Sequence, residues 1–181
     1  SIYEALVNLA NRDILIDKQG NFGNIMTGDQ ASAARYIECR TTPFAKAILY
    51  NPELTVFEPS YDGRNKEPVV FPAKIPLVLV QGAEGIAVGM STKILPHNLT
   101  EVIQAVQARL KGEHLALYPD FASGGLIDVS DYQDGHGKVL TRALLDTSDP
   151  KRIVIREIPF GTTTESLINS IENAARKGKL K

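Results

Sequence analysis

Three glycines within nine residues, Gly20, Gly23 and Gly28, are followed at once by an alanine-rich run that ends on Arg35-Tyr36. Glycine turns the backbone through conformations that other residues reach only at a steric cost, so residues 20–28 read as a sharp loop. The run behind the loop reads as the first turns of a helix with Asp29 at its N-cap, where a short carboxylate accepts from free backbone N–H groups. An arginine beside a tyrosine at such a place suits a phosphate, because a cation and backbone donors then meet one anion. An Arg-Tyr pair alone is more often ordinary surface, so the weight falls on the rest of the chain.

A chain of 181 residues suits one large domain or two small ones. With 43% hydrophobic and 23% charged residues, wholesale disorder is excluded. The net charge of -1 leaves nucleic-acid binding to local clustering rather than to the total. Cys39, the single cysteine, can form no internal disulfide and reads as a small apolar residue in a reducing compartment. No apolar run approaches the ~18 residues of a membrane span, and no signal peptide is visible. His97, His114 and His136 have no partner at metal-ligand spacing, so no metal site is expected in this chain. The chain starts on Ser1 and ends on the basic run ARKGKLK, and reads as an excised piece of a longer protein.

Along the chain, residues 1–10 form an amphipathic helix with Ser1 and Glu4 at capping-box spacing. Residues 14–17 suit a strand, and 35–49 read as helix interrupted at Pro43. Pro52, Pro59, Pro68 and the Asp62-Gly63 turn make 51–71 extended and looping. IPLVLV, 75–80, reads as a buried strand, and QGAEGIAVG, 81–89, as a second glycine-rich turn with Ile86 at its centre. Asn98 and Glu101 start a helix that Gly112 stops. Short strands follow at 124–129, 138–145 and 152–158, and Thr162 or Thr163 caps a last helix, 165–176. His97 reads as a loop residue beside the cap, and the lysines at 177, 179 and 181 as a solvated helix end.

Eight stretches then carry a resemblance: QGNFGN (19–24), TGD (27–29), AARYIE (33–38), YDGR (61–64), GIAVGM (85–90), PHNLTE (96–101), PDF with the following GG (119–125), and REIPFGTTTESL (156–167). In order and spacing they are similar to the A subunit of bacterial type IIA topoisomerases. LYPDFASGGLIDVSDY and EIPFGTTT look more like a topoisomerase IV A subunit than a gyrase A subunit. The resemblance implies an α+β architecture, with residues 1–60 the later part of a winged-helix DNA-binding domain and 61–181 an incomplete tower domain. It also implies more residues between Ala10 and Leu15 than stand here: either this branch has a shorter connection or residues were left out, and the tight crossing favours the second.

The same resemblance implies the chemistry. Tyr36 would be the nucleophile of a reversible transesterification, and Arg35 would steady charge on the phenolate and the phosphate. Ile86 would be a wedge that opens a base step, with Arg40, Lys46, Lys74 and Lys93 as phosphate contacts. Mg²⁺ would sit on acidic residues of a partner B subunit, which would also hydrolyse ATP. Partners would be double-stranded DNA, the B subunit in an A2B2 heterotetramer, and a second copy of the A subunit, in the bacterial cytoplasm at the nucleoid. Rival readings are a non-catalytic DNA-bending module and a gyrase A subunit. A nucleotide-binding phosphate loop at 20–28 is poorer, because no Lys-Ser/Thr follows the glycines.

Overall fold

The computed structural model describes residues 2–180. Mixed α and β structure is what it shows: among these residues, five α-helices and ten strands, the strands paired antiparallel in five two-stranded sheets. The chain divides into two compact units, Ser1–Phe22 with Ala31–Leu77, and Gly23–Gln30 with Val78–Lys181.

In the first unit, α1 (Ile2–Ala10) is followed by β1 (Ile16–Gln19), which pairs with β2 (Glu38–Thr41), Gln19 facing Glu38 and Ile16 facing Thr41. α2 (Pro43–Leu49) packs Ala45 and Ile48 on Leu15, with Leu9, Ile14, Phe44, Ile75 and Leu77 around them. β3 (Phe57–Pro59) and β4 (Lys66–Pro68) form a hairpin. The crossing from α1 to β1 is closed by a turn in which Arg12 and Asp13 donate backbone hydrogen bonds to Leu9 and Ala10. The Ser1 capping box lies outside the described residues.

Residues 35–49 are not one helix. Arg35 and Tyr36 sit on a single 3₁₀ turn, Ala34–Tyr36, after which the chain extends into β2. α2 begins only at Pro43, in the first helical position, where its missing N–H costs nothing. Thr42 caps it: its Oγ1 accepts from Ala45 N–H at 3.0 Å and donates to the Ile14 carbonyl at 2.9 Å. Thr42-Pro43 is thus a helix start, and the pairing of β2 with β1 overrides the helical tendency of the residues before it.

Two further expectations are corrected. Residues 77–81 are helix, α3, rather than strand. Leu77 turns onto the Leu15 core and Val80 is buried, a three-residue helical spacing that a continuous apolar run hides, since such a run fits strand and helix alike. Residues 83–87 are a strand, β5, rather than a turn; β5 (Ala83–Ala87) pairs with β6 (Met90–Ile94) around a two-residue connection, Val88-Gly89.

The second unit continues with α4 (Leu99–Leu110), capped by Asn98 Oδ1 accepting from Thr100 and Glu101 N–H groups. Then come β7 (Leu126–Asp128) with β8 (Leu140–Arg142), and β9 (Leu144–Asp149) with β10 (Arg152–Glu157). α5 (Thr164–Arg176) carries a full capping box between Thr163 and Ser166. Phe121 and Phe160 stack at 4.3 Å between centroids.

Candidate functional sites in each unit: an exposed tyrosine and an apolar hairpin

The Asp29 region does not start a helix. Asn24 and Asp29 bridge to close a small loop, with Thr27 Oγ1 donating to Asp29 Oδ2 at 2.6 Å. This loop turns carbonyls outward: Met26 and Thr27 accept from the N–H groups of Thr164 and Glu165, at 2.9 and 3.3 Å. These are two of the free donors at the start of α5. Residues 23–30 therefore finish a helix N-terminus within their own unit, and Gly28 N–H is spent on the Asn24 carbonyl. A phosphate cradle needs converging N–H groups, which this loop does not present.

Tyr36 is placed by the other half of the stretch. Its turn is closed by Tyr36 N–H on the Ala33 carbonyl at 2.9 Å, and Ile37 then extends into β2. Ser32 N–H donates to Asn21, and the Tyr3 hydroxyl of α1 donates to the Ser32 carbonyl. Asn11 Nδ2 donates to the carbonyl of buried Phe22 at 2.9 Å. Gly20, at φ +98°, passes so close that a Cβ there would lie 2.9 Å from the Tyr36 carbonyl oxygen. The chain on both sides of the tyrosine is thus tied to α1 and β1.

The ring itself is free, 67% exposed. The Arg35 guanidinium carbon lies over it, 4.7 Å from the centroid. Such a stack on exposed residues is worth about 0.5–1 kcal/mol, which parks the cation without locking it. An open depression of about 610 Å³ runs beside the pair, bordered by Lys18, Gly20, Glu38, Cys39 and Arg40. Arg40 faces Asp17 across β1–β2 and Nε donates to Oδ2 at 2.8 Å, an exposed bridge worth about 0–1 kcal/mol. Lys46 and Lys74 are exposed elsewhere in the same unit, Lys74 N–H holding the Ile48 carbonyl at the end of α2.

Among the described residues no three His, Cys, Asp or Glu side chains gather as a metal-holding group. Beside Tyr36 the Asp17 carboxylate is already matched to Arg40, so these residues do not by themselves fit a divalent cation.

The β5–β6 hairpin of the second unit has two dissimilar faces. Ile86 and Glu84 lie on one, opposite Ser91 and Lys93, and the Lys93–Glu84 ion pair spans 3.5 Å. The other carries Ala83, Gly85 and Ala87 against Ile94, Thr92 and Met90. Ile86 is 87% exposed, Met90 is exposed, and Val88 at the apex is wholly so. Three large apolar side chains with no packing partner on a narrow arm are costly in water unless something covers them. The sequence singles out Ile86 alone; Val88 and Met90 share its exposure, and alternation about a Val-Gly turn is the signal for them.

His97 is the loop residue beside the Asn98 cap that its sequence position suggests, but a buried one. It is 6% exposed, with Nδ1 donating to the Leu79 carbonyl at 3.0 Å and the Tyr132 hydroxyl reaching Nε2 at 3.4 Å. Its place just before the Asn98 cap is the sign in the sequence that it packs.

The family of DNA gyrase/topoisomerase IV A subunits matches residues 1–181. The chain belongs to that family, the type IIA topoisomerase A subunits. It is 64% identical over 181 residues, its whole length, to the A subunit of DNA topoisomerase 4 from Borreliella burgdorferi. To the A subunit of DNA topoisomerase 4 from Caulobacter vibrioides it is 40% identical over 195 residues, covering 94% of the chain. With the A subunit of DNA gyrase from Dehalogenimonas lykanthroporepellens the figure is 37% over 205 residues and 99% of the chain. The chain spans 29%, 26% and 25% of these relatives' lengths, respectively. The Borreliella comparison runs over 181 positions, the chain's own length, whereas the Caulobacter and Dehalogenimonas comparisons run over 195 and 205, so those two relatives carry residues that this chain and the Borreliella relative lack. No helix of the described residues is long and apolar enough to cross a membrane.

Proposed function

We propose that this chain is part of the DNA breakage-reunion subunit of a type IIA topoisomerase, with Tyr36 as the nucleophile. The carrying observation is the exposed Tyr36 ring with the Arg35 cation resting on it, on a turn tied down at both ends. The Tyr36 oxygen attacks a DNA phosphodiester. An Oη–P bond forms while the P–O3′ bond breaks, leaving the 5′ phosphate on the tyrosine. The phenolic proton departs and the 3′ oxygen gains one, so the step is neutral in protons. Attack by the 3′ hydroxyl reverses it, and an aryl oxide leaves phosphorus more readily than an alkoxide, so resealing needs no separate ligation chemistry.

Arg35 supports both directions. Leaving the ring costs about 0.5–1 kcal/mol, whereas a hydrogen bond from a guanidinium to a phosphate is worth about 1.5–3. The phosphate therefore wins the cation as charge builds on it. Arg40 can trade Asp17 for a phosphate on the same reasoning, and Lys46, Lys74 and Lys93 are further candidate contacts. Ile86 serves as the wedge: an apolar side chain on an exposed hairpin opens a base step for a few kcal/mol, offset by new contacts along the bent duplex. We read residues 1–60 as the later part of a winged-helix domain and 61–181 as part of a tower domain. Mg²⁺ and ATP are assigned to a B subunit, in an A2B2 assembly whose two A subunits hold one cleaved segment while another passes. The 64% identity to a topoisomerase 4 relative favours topoisomerase IV over gyrase.

The test is Tyr36→Phe in the full-length protein, combined with its B subunit, Mg²⁺ and plasmid and trapped with denaturant. DNA binding persists and the protein-linked product disappears. Unchanged linkage in the variant would refute the assignment.

A further inference from the structure

We propose that His97 is a positioning residue that latches the base of the β5–β6 hairpin and so sets where Ile86 points; this rests on the wedge reading above. α3 is a single turn, so almost all its carbonyls lack an intrahelical donor. Leu79 O receives its partner from outside, from His97 Nδ1 at 3.0 Å. Because a carbonyl can only accept, Nδ1 carries the proton on that side, and the Tyr132 hydroxyl holds the other side of the ring at Nε2, 3.4 Å away. Burial, with the Asp134 charge second, pushes the Tyr132 phenol up, which keeps it a donor.

Leu79 lies just before β5 and His97 just after β6, so one side chain joins the chain entering the hairpin to the chain leaving it. The backbones already close in there: a Cβ on Gly82 would stand 2.7 Å from the Ile94 carbonyl and 3.0 Å from Pro96 N. Pro96 O in turn accepts from Asp120 N–H at 2.9 Å. Beyond this base the hairpin is exposed along β5, so its direction is decided at the base. Ile86 stands four residues past Gly82, roughly 14 Å out at the usual rise per strand residue. A 10° tilt at the base moves it by roughly 2.4 Å, comparable to the ~3.4 Å spacing of bases along a strand. Loosening the latch thus takes the wedge off its step without touching the wedge.

The experiment uses the full-length protein, its B subunit, plus a duplex labelled on both sides of the cleavage site, bending being read by energy transfer. Ile86→Ala is the reference and loses the bend. His97→Gln removes the donor at the Nδ1 position, and the bent fraction falls at least about fivefold with DNA affinity within about twofold of wild type. His97→Asn places an amide nitrogen near the Nδ1 position and recovers at least half the bend, a rescue that a generic packing role would not give. Tyr132→Phe, which keeps the ring, lowers the bent fraction about twofold and serves if His97→Gln fails to fold. Wild-type bending in His97→Gln, or in Tyr132→Phe should the first not fold, overturns the latch while Ile86→Ala still reads out the wedge. Wild-type bending in Ile86→Ala overturns the wedge reading itself, and the latch with it.

Discussion

Gly20→Ala separates a strained backbone from a displaced Tyr36. At φ +98° an alanine suffers a steric cost of about 1–3 kcal/mol. Its Cβ would also stand 2.9 Å from the Tyr36 carbonyl oxygen and 3.1 Å from Ile37 Cγ2, and overpacking of this kind costs about 1–3 kcal/mol more. The lower entropy of the unfolded alanine chain returns about 0.4–1 kcal/mol, leaving a net loss of about 1–6 kcal/mol. The segment around Tyr36 can reduce the clash by moving outward, because the ring is exposed and carries only the mobile Arg35 side chain over it. A shift of about 1 Å at a reacting group can cost about 10²-fold in rate. Gly63→Ala is the control, since it has φ +68° but no atom within 4 Å of its would-be Cβ. It carries the backbone strain without the contact. The assay is the rate of tyrosine-linked DNA formation by each variant with the B subunit present, alongside urea unfolding. Gly20→Ala should cleave about 10²-fold more slowly, and Gly63→Ala at the wild-type rate with about 1 kcal/mol lost in stability. Cleavage by Gly20→Ala within twofold of wild type would show that the Gly20 contact does not place Tyr36.

Gly85→Ala should bend DNA less while remaining as stable as wild type: its φ is ordinary and its nearest neighbour would be Thr92 Cγ2 at 3.6 Å, so only an outside surface would feel the methyl; a fall in thermal midpoint matching the loss of bending refutes that. Asp146 is held at about 2, against 3.8 for an ordinary aspartate, first by the Ser148 hydroxyl and then by Arg156. A lowered carboxylate contributes stability above its unfolded value that is lost as pH falls, so wild type should lose stability relative to Asp146→Asn between about pH 4 and pH 2; parallel acid unfolding curves would refute it.

The helix starts at Asn98 and Thr163 are legible because a cap is a local event: a side-chain oxygen and its N–H partners within four residues. So is the β10 strand, whose alternation needs no distant partner to be seen. Residues 35–49 mislead because the competing interaction is remote. Nothing between Arg35 and Thr41 announces that β1, some twenty residues earlier, pairs with it. Thr42-Pro43 does announce a helix start, and taken as a boundary rather than an interruption it places α2 correctly. IPLVLV misleads for a different reason, since a six-residue apolar run fits either period until a core is present to choose.

The same division runs through the candidate site. Its chemistry is legible residue by residue, because a phenol, a guanidinium and an exposed isoleucine keep their properties wherever they stand. Its geometry is not, because each group is held by backbone atoms far off in sequence. The Tyr36 turn is fixed through Gly20 and through the hydroxyl of Tyr3, and the Ile86 hairpin closes where Gly82 meets Ile94 and His97 meets Leu79. The loop that looks most like an anion site shows the cost of reading composition alone. Gly28 and its neighbours complete the N-terminus of α5, more than 130 residues away, with carbonyls where a phosphate would need donors. A glycine cluster announces close approach; only the folded chain says whether what approaches is a ligand, a helix or the backbone of Tyr36.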